Sequence, residues 1–175
     1  PKGAPLSWGG KAPGPKGLQE AFIKIQDLMD KVVQERDFLK PIDVYDVIMH
    51  ASDAVLSGGT RRSATICIFS HDDLEMTHAK TGDWFIKNPQ RGRSNNSALI
   101  LRNKITKKEF HDIMQSVKQF GEPGFIFADS TEFLVNPCCE IGLYAYDDNG
   151  VSGWQMCNLC EINMKKCDTK EKFLD

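Results

Sequence analysis

The sequence predicts an α/β fold, a single domain of 175 residues. Three observations point there. Segments with apolar residues at helical spacing alternate along the chain with short apolar runs of strand length. Glycines, prolines and capping residues separate the two kinds of segment. No internal repeat imposes a solenoid or propeller, so the alternation is read as α/β rather than all-α or all-β.

In chain order, residues 1–16 are a polar segment rich in Gly, Pro and Lys, which by itself reads as a linker. Leu18, Phe22, Ile25, Leu28, Met29, Val32 and Val33 recur at helical spacing, predicting an amphipathic helix over 18–37. A second helix is expected over 43–56, with Val44, Val47, Ile48, Ala51 and Val55 on its apolar face and Pro41 just before it. Ser57-Gly58-Gly59-Thr60-Arg61-Arg62-Ser63 breaks that helix and leads into a strand over 64–69. A short helix over 72–80 follows. The polar run Asn88-Pro-Gln-Arg-Gly-Arg-Ser-Asn-Asn-Ser97 then leads into a strand over 98–101. Thr106 and Glu109 form a capping-box pattern for a helix to about residue 120. Gly121-Glu-Pro-Gly124 ends it before a short strand over 125–127. A strand over 142–146, a turn at Asp147-Asp-Asn-Gly150 and a return strand over 154–159 complete the pattern.

A hydrophobic content of 41%, with 26% charged residues, is ordinary for a soluble globular protein. The formal net charge is −2, so no global basic field attracts nucleic acid. No apolar run approaches the ~20 residues that span a bilayer. The first 17 residues do not read as a signal peptide, and the expected compartment is the cytoplasm. Four of the six cysteines are adjacent to one another or in CxxC spacing, which suits cytosolic thiol or metal chemistry better than a secreted disulfide framework. Thr169 and the residues after it read as the opening of a helix that the chain does not complete. A piece of a longer polypeptide, or one subunit of a split one, is therefore expected.

Chemistry concentrates in Asn136-Pro137-Cys138-Cys139-Glu140-Ile141. In an extended segment, alternate side chains share a face, so Asn136, Cys138 and Glu140 would converge on one small molecule. Asn offers a donor and an acceptor, Glu moves a proton, and the sulfur changes protonation or oxidation state. That combination suits redox chemistry on a hydroxylated substrate. Cys157 and Cys160 form a CxxC pair that could bind zinc with Cys138 or Cys139 and Cys167, giving a zinc-stabilised binding module instead. A thioredoxin-like pair fits less well, because that CxxC opens a helix and Cys157 lies in a strand-like run. Cys67, Cys160 and Cys167 also read as small buried hydrophobes. Gly58, Gly59, Thr60, Arg61 and Arg62 are either a loop that meets an anionic or planar ligand, or a glycine C-cap followed by solvated arginines. Asn95, Asn96 and Ser97 could wall a pocket, although a plain turn is the simpler reading. His50, His71, His78 and His111 share no ligand-like spacing.

Six motifs in order resemble the large catalytic subunit of ribonucleotide reductase: Pro1-Lys-Gly-Ala4; Ser57-Gly-Gly-Thr-Arg-Arg-Ser-Ala64; Asn88-Pro-Gln-Arg-Gly-Arg-Ser-Asn-Asn-Ser97; Gly121-Glu-Pro-Gly-Phe125; Asn136-Pro-Cys-Cys-Glu-Ile141; and Gly153-Trp-Gln-Met-Cys-Asn-Leu-Cys-Glu-Ile-Asn163. The resemblance implies a ten-stranded α/β barrel of two halves, with the radical cysteine at the tip of a central loop. The whole chain would be the central part of that barrel. By motif match, Cys138 would form the thiyl radical, Glu140 would be the base on the 3′-hydroxyl, and Asn136 would orient the ribose hydroxyls. Cys157 would be one of two cysteines that supply the electrons and become a disulfide. Gly58, Gly59, Thr60, Arg61 and Arg62 would relay the identity of a deoxynucleotide or ATP effector to substrate choice.

The resemblance further implies a ribonucleoside di- or triphosphate substrate, a thioredoxin-like reductant and a role in DNA precursor synthesis. Neither a membrane nor a nucleic acid is expected as a partner. The Asn-Pro-Cys and Gly-Trp-Gln-x-Cys-Asn-Leu-Cys patterns look like the adenosylcobalamin-dependent members, with a metal-bearing radical subunit as the alternative source. Two departures stand out. Cys139 occupies a position that is usually small in the family, and it is expected to face away from Cys138. No residue matches the upstream partner of Cys157, so the 175-residue chain is expected to be inactive alone, and poorly stable because strands cut from a closed barrel expose unpaired edges.

Overall fold

The computed structural model describes residues 1–7, 10–56, 64–144, 146–155, 163, 165–167 and 169–171. The α/β class is borne out. Helices α1 (Lys16–Glu35) and α2 (Pro41–Leu56) lead to strand β1 (Thr65–Ser70). Short helices α3 (Leu74–Thr77) and α4 (Trp84–Lys87) and a 3-10 turn (Pro89–Arg93) then precede β2 (Ser94–Leu101). Helix α5 (Lys107–Phe120), β3 (Gly124–Ala128), β4 (Leu134–Val135) and β5 (Gly142–Leu143) follow. The first three strands form a parallel sheet in the order β1-β2-β3, and β4 pairs antiparallel with β5. No helix among the described residues is long and apolar enough to cross a membrane.

The registers Thr65↔Ser94, Cys67↔Asn96 and Phe69↔Ala98 put those residues on one face of the sheet. Phe125 and Phe127 of β3 join that face through Ala98 and Ile100. The core lies there: Tyr45 and Met49 of α2, Met76, Ala79 and Ile113 pack with Phe69, Ala98 and Ile100. Phe110 of α5 meets Phe125 edge-on at 5.4 Å between ring centroids. Ile66 and Ile68 of β1, Asn95, Ser97, Leu99 and Leu101 of β2, and Ile126 of β3 occupy the opposite face.

Helix α5 begins where its capping box predicts. Thr106 Oγ1 accepts from the Glu109 amide at 3.2 Å, and Glu109 Oε2 accepts from the Thr106 amide at 2.7 Å. Gly121 ends the helix in the left-handed region, at φ 75°. The turn at 147–150 is also present: Asp147 Oδ1 accepts from the amides of Asn149 and Val151, and Gly150 has φ 77°.

Several expectations are corrected. Helix α2 starts at Pro41, whose missing N–H costs nothing in the first turn. Its sheet-facing stripe is Ile42, Tyr45 and Met49, whereas Val44, Ile48 and Val55 of the expected face are exposed. Helix α1 packs on α2 through Ala21 and Val32, leaving Leu18, Phe22 and Val33 exposed. The helix expected over 72–80 is a single turn, capped by Asp73 Oδ1 accepting from the Met76 amide at 3.0 Å. Trp154 and Gln155 are in no strand, and Tyr146 bridges Ser152 instead. Residues 156–159 of that expected return strand lie outside the described residues, as do 172–175 of the terminal helix, of which Lys170 and Glu171 are helical.

The largest correction is in β2. Its first half is Ser94-Asn95-Asn96-Ser97, where a plain turn is the simpler reading of Asn95, Asn96 and Ser97 from sequence. A central strand tolerates such residues when every other side chain finds a buried polar partner, and here Ser94 and Asn96 do.

Candidate active site

Two structures meet on the first half of β2, one on each face. On the helix-covered face, Tyr45 Oη lies 2.8 Å from Ser94 Oγ and donates to Asn96 Oδ1 at 3.0 Å. Lys80, only 6% exposed, donates to the Ser94 carbonyl and to Glu122 Oε1 at 2.8 Å. Beside this cluster, Arg91 grips Asp46 through two bonds of 2.8 and 2.6 Å, and Gln90 adds a third donor to the same carboxylate at 3.0 Å. Arg91 also donates to the Ala79 carbonyl at 2.8 Å, tying α2, the segment after α3 and the 3-10 turn together. Fork-like arginine–carboxylate pairs fix orientation as well as charge.

Burial pushes the Tyr45 hydroxyl up to about 12, against the lowering effect of its bonds to Ser94 and Asn96. Burial likewise pushes the Cys67 thiol up to about 11, with Lys80 opposing the rise. Cys67 is thus a packing cysteine of the core face, in agreement with its reading as a small hydrophobe. Asn96 Nδ2 and Glu122 Oε2 are buried without a partner.

On the opposite face sits the Asn-Pro-Cys-Cys-Glu-Ile segment. It is a tight turn joining β4 to β5, not an extended run. The Asn136 amide donates to the Ile141 carbonyl at 3.2 Å, and the Cys139 amide donates to the Asn136 carbonyl at 2.9 Å. Asn136 Oδ1 accepts from the Ile141 amide at 3.0 Å. Asn136 is therefore the residue that closes the turn, and it is 3% exposed. Cys139 has φ 65°, in the left-handed region, which breaks the alternation on which a shared face for Asn136, Cys138 and Glu140 was expected. The same break removes the ground for expecting Cys139 to face away from Cys138. Cys138, Cys139 and Glu140 are all exposed at the turn's tip. Burial, and then the neighbouring Cys138 and Glu140, push the Cys139 thiol up.

A side chain of β2 docks the turn on the sheet. Asn95 Nδ2 donates to the Pro137 carbonyl at 2.7 Å. Gly124 opposes Ser97 on the same face, and a Cβ there would come within 2.9 Å of Ser97 Oγ. Towards the carboxyl ends of β1 and β2, this face opens into a cleft of about 410 Å³ lined by Ile68, Leu99, Leu101 and Phe133, with His71, Asp72 and Lys104 at its edge. Crevices outside the carboxyl ends of parallel strands are common ligand positions.

Of the residues singled out in the sequence, Asn136, Cys138 and Glu140 lie in one turn, Asn136 buried at its base and Cys138 and Glu140 exposed at its tip. Cys157, Cys160 and the loop residues Gly58, Gly59, Thr60, Arg61 and Arg62 lie outside the described residues. Cys167 is a partly buried free thiol. Among the described residues, no three His, Cys, Asp or Glu side chains gather as metal ligands. Sequence reasoning missed Asn95 as the docking residue, and Tyr45, Lys80 and Glu122 as its foundation. The available signal was the length of the polar run before Ala98, too long for a plain turn.

No protein-family model matches the chain, and no solved structure matches it. Curated relatives do. An adenosylcobalamin-dependent ribonucleoside-triphosphate reductase of Lactobacillus acidophilus is 29% identical over 180 aligned residues, which cover 93% of this chain and 22% of that protein. The enzyme of the same name from Lactobacillus helveticus is 28% identical over 196 residues, 99% of this chain and 24% of that one. The one from Lactobacillus leichmannii is 26% identical over 93% of this chain and 22% of its own length. The chain thus spans between a fifth and a quarter of the length of the curated relatives it matches. Over nearly all of its own length, then, this chain is similar to one segment of the adenosylcobalamin-dependent ribonucleoside-triphosphate reductases, the resemblance its motifs carried.

Proposed function

We propose that this chain carries the radical-thiol segment of a ribonucleotide reductase and contributes to making deoxyribonucleotides for DNA synthesis. The observation that carries the reading is the turn itself. It presents Cys138 and Glu140 together at an exposed tip, closed by Asn136 and docked by Asn95 on a sheet face that helices leave open.

The chemistry would run through these side chains. A thiyl radical on Cys138 removes the hydrogen atom from the ribose 3′ carbon. Glu140 takes the proton of the 3′-hydroxyl, and the 2′-hydroxyl leaves as water. Cys157 and a second thiol supply two electrons and two protons and end as a disulfide, and Cys138 returns its hydrogen to the 3′ carbon. The orienting role that the resemblance implies for Asn136 would require its buried carboxamide to leave the bond to the Ile141 amide. The barrel expected from the resemblance would shield the radical from water. The relatives' names favour a ribonucleoside triphosphate as substrate. They also favour adenosylcobalamin, which when bound supplies the radical that Cys138 receives. Gly58, Gly59, Thr60, Arg61 and Arg62 remain the proposed effector loop, with Arg61 as its likeliest contact.

The test is turnover of ribonucleoside triphosphate with adenosylcobalamin and a dithiol, in an assembled reductase carrying this chain. Cys138→Ala should lose at least about a thousandfold in rate, ~4 kcal/mol of barrier, with nucleotide binding and thermal unfolding unchanged. Cys157→Ser should still consume substrate but without yielding deoxynucleotide. Full turnover in Cys138→Ala would end the assignment.

A further inference from the structure

The chemistry proposed above uses one thiol of the turn, yet the turn carries two. Cys138 and Cys139 are adjacent in sequence and both exposed. They are free of helix and strand, at the apex of a turn whose base is pinned by hydrogen bonds from the amides of Asn136, Cys139 and Ile141. Cys139 already holds the left-handed backbone that a β-carbon disfavours, so the apex is bent at the second thiol. That bend removes the strand-like alternation that would drive the two side chains to opposite sides.

We propose that Cys138 and Cys139 are a reversible redox pair, converted by hydrogen peroxide into a vicinal disulfide that takes the Cys138 sulfur out of use. One thiolate attacks the peroxide, the O–O bond breaks, hydroxide leaves and a sulfenic acid forms. The neighbouring thiol then attacks that sulfur, the S–O bond breaks and the S–S bond forms. Together the thiols lose two protons and two electrons, and one peroxide becomes two waters.

The bond so made is labile for a geometric reason. Consecutive Cα atoms are about 3.8 Å apart, whereas disulfides usually span ~4.4–6.8 Å between Cα atoms. The small ring is strained, and strained disulfides are readily reduced. A dithiol of the kind the proposed reductase consumes would restore both thiols. The consequence for turnover rests on the proposed role of Cys138, but the oxidation does not, so the test reads the sulfurs themselves.

An assembled reductase carrying this chain is treated with one equivalent of hydrogen peroxide, denatured, alkylated with N-ethylmaleimide and mapped by mass spectrometry. The peptide carrying Cys138 and Cys139 should lack both alkyl groups and be two hydrogens lighter, and dithiothreitol should restore both labels. In Cys139→Ser, dimedone should instead trap a sulfenic acid on Cys138. Three results would overturn the proposal: both thiols alkylated after peroxide, either one cross-linked to Cys67, Cys157, Cys160 or Cys167, or oxidation to sulfinic acid without ring closure. Failure here leaves the turnover test of Cys138→Ala untouched, and the reverse also holds.

Discussion

The two faces of β2 solve opposite problems. The face carrying Ser94, Asn96, Ala98 and Ile100 is sealed by helices, and its polar groups are held by Tyr45 and Lys80 in bonds fixed at both ends. The face carrying Asn95, Ser97, Leu99 and Leu101 supports a turn whose tip is exposed, with a side-chain bond from Asn95 to the Pro137 carbonyl among its contacts. The helix-sealed side, which includes the buried Cys67, is thus the scaffold, and the exposed thiols Cys138 and Cys139 lie on the other side. Placing a reactive loop on a rigid scaffold is a general solution, because positional error in the scaffold would propagate to the reacting atoms.

Breaking the sealed face should have the largest effect on stability. Asp46→Ala would leave the Arg91 guanidinium, whose side chain is 13% exposed, without its carboxylate. Removing one partner of such a buried pair costs about 3–5 kcal/mol. Urea unfolding of the variant should show that loss, and a loss below ~1 kcal/mol would mean the pair is solvated.

Raising the pH attacks the same face more gently. Burial pushes Cys67 from the ordinary value near 9 up to about 11, and Tyr45 from near 10 up to about 12. Both folded values lie above the unfolded ones, so the folded state holds these protons more tightly. Their contribution is complete below pH 9 and is lost as pH rises through 11 and then 12. The expected destabilisation is on the order of 1–2 kcal/mol after discounting for partial exposure. Cys67→Ala should flatten the first part of the decline. Denaturation midpoints that do not change between pH 8.5 and 11 would contradict the burial of both groups.

The open face offers the smallest and most selective change. Asn95→Ala should cost about 1 kcal/mol or less, while amide exchange quickens at Cys139 and Ile141 and stays slow at Asn96 and Ala98. Equal acceleration on both faces would show that Asn95 belongs to the scaffold and not to the docking of the turn.

Much of the local structure is written in residues close to one another. The capping box of Thr106 and Glu109, the left-handed Gly121 and the Asp147 turn each depend on bonds between residues a few positions apart, and each is where the sequence puts it. The chemistry proposed for Asn136, Cys138 and Glu140 rests on the motif, because residue types and order suffice to suggest a thiol beside a base. Its shape was not, since the turn is set by the Asn136 side chain reaching Ile141 and by the pairing of β4 with β5.

What the sequence by itself determined is therefore the α/β class, both ends of α5 and the candidate reactive residues. Tertiary structure alone decided that the Tyr45 stripe of α2, and not its valine stripe, meets the sheet, and that Ser94-Asn95-Asn96-Ser97 is strand and not turn. The reason is range. Both choices turn on polar side chains whose partners lie 42 to 51 residues away, Lys80 with Glu122 and Tyr45 with Asn96. A period of apolar residues cannot register such partners, because it weighs burial by residue type. The fold weighs it by whether each buried polar group finds its bond.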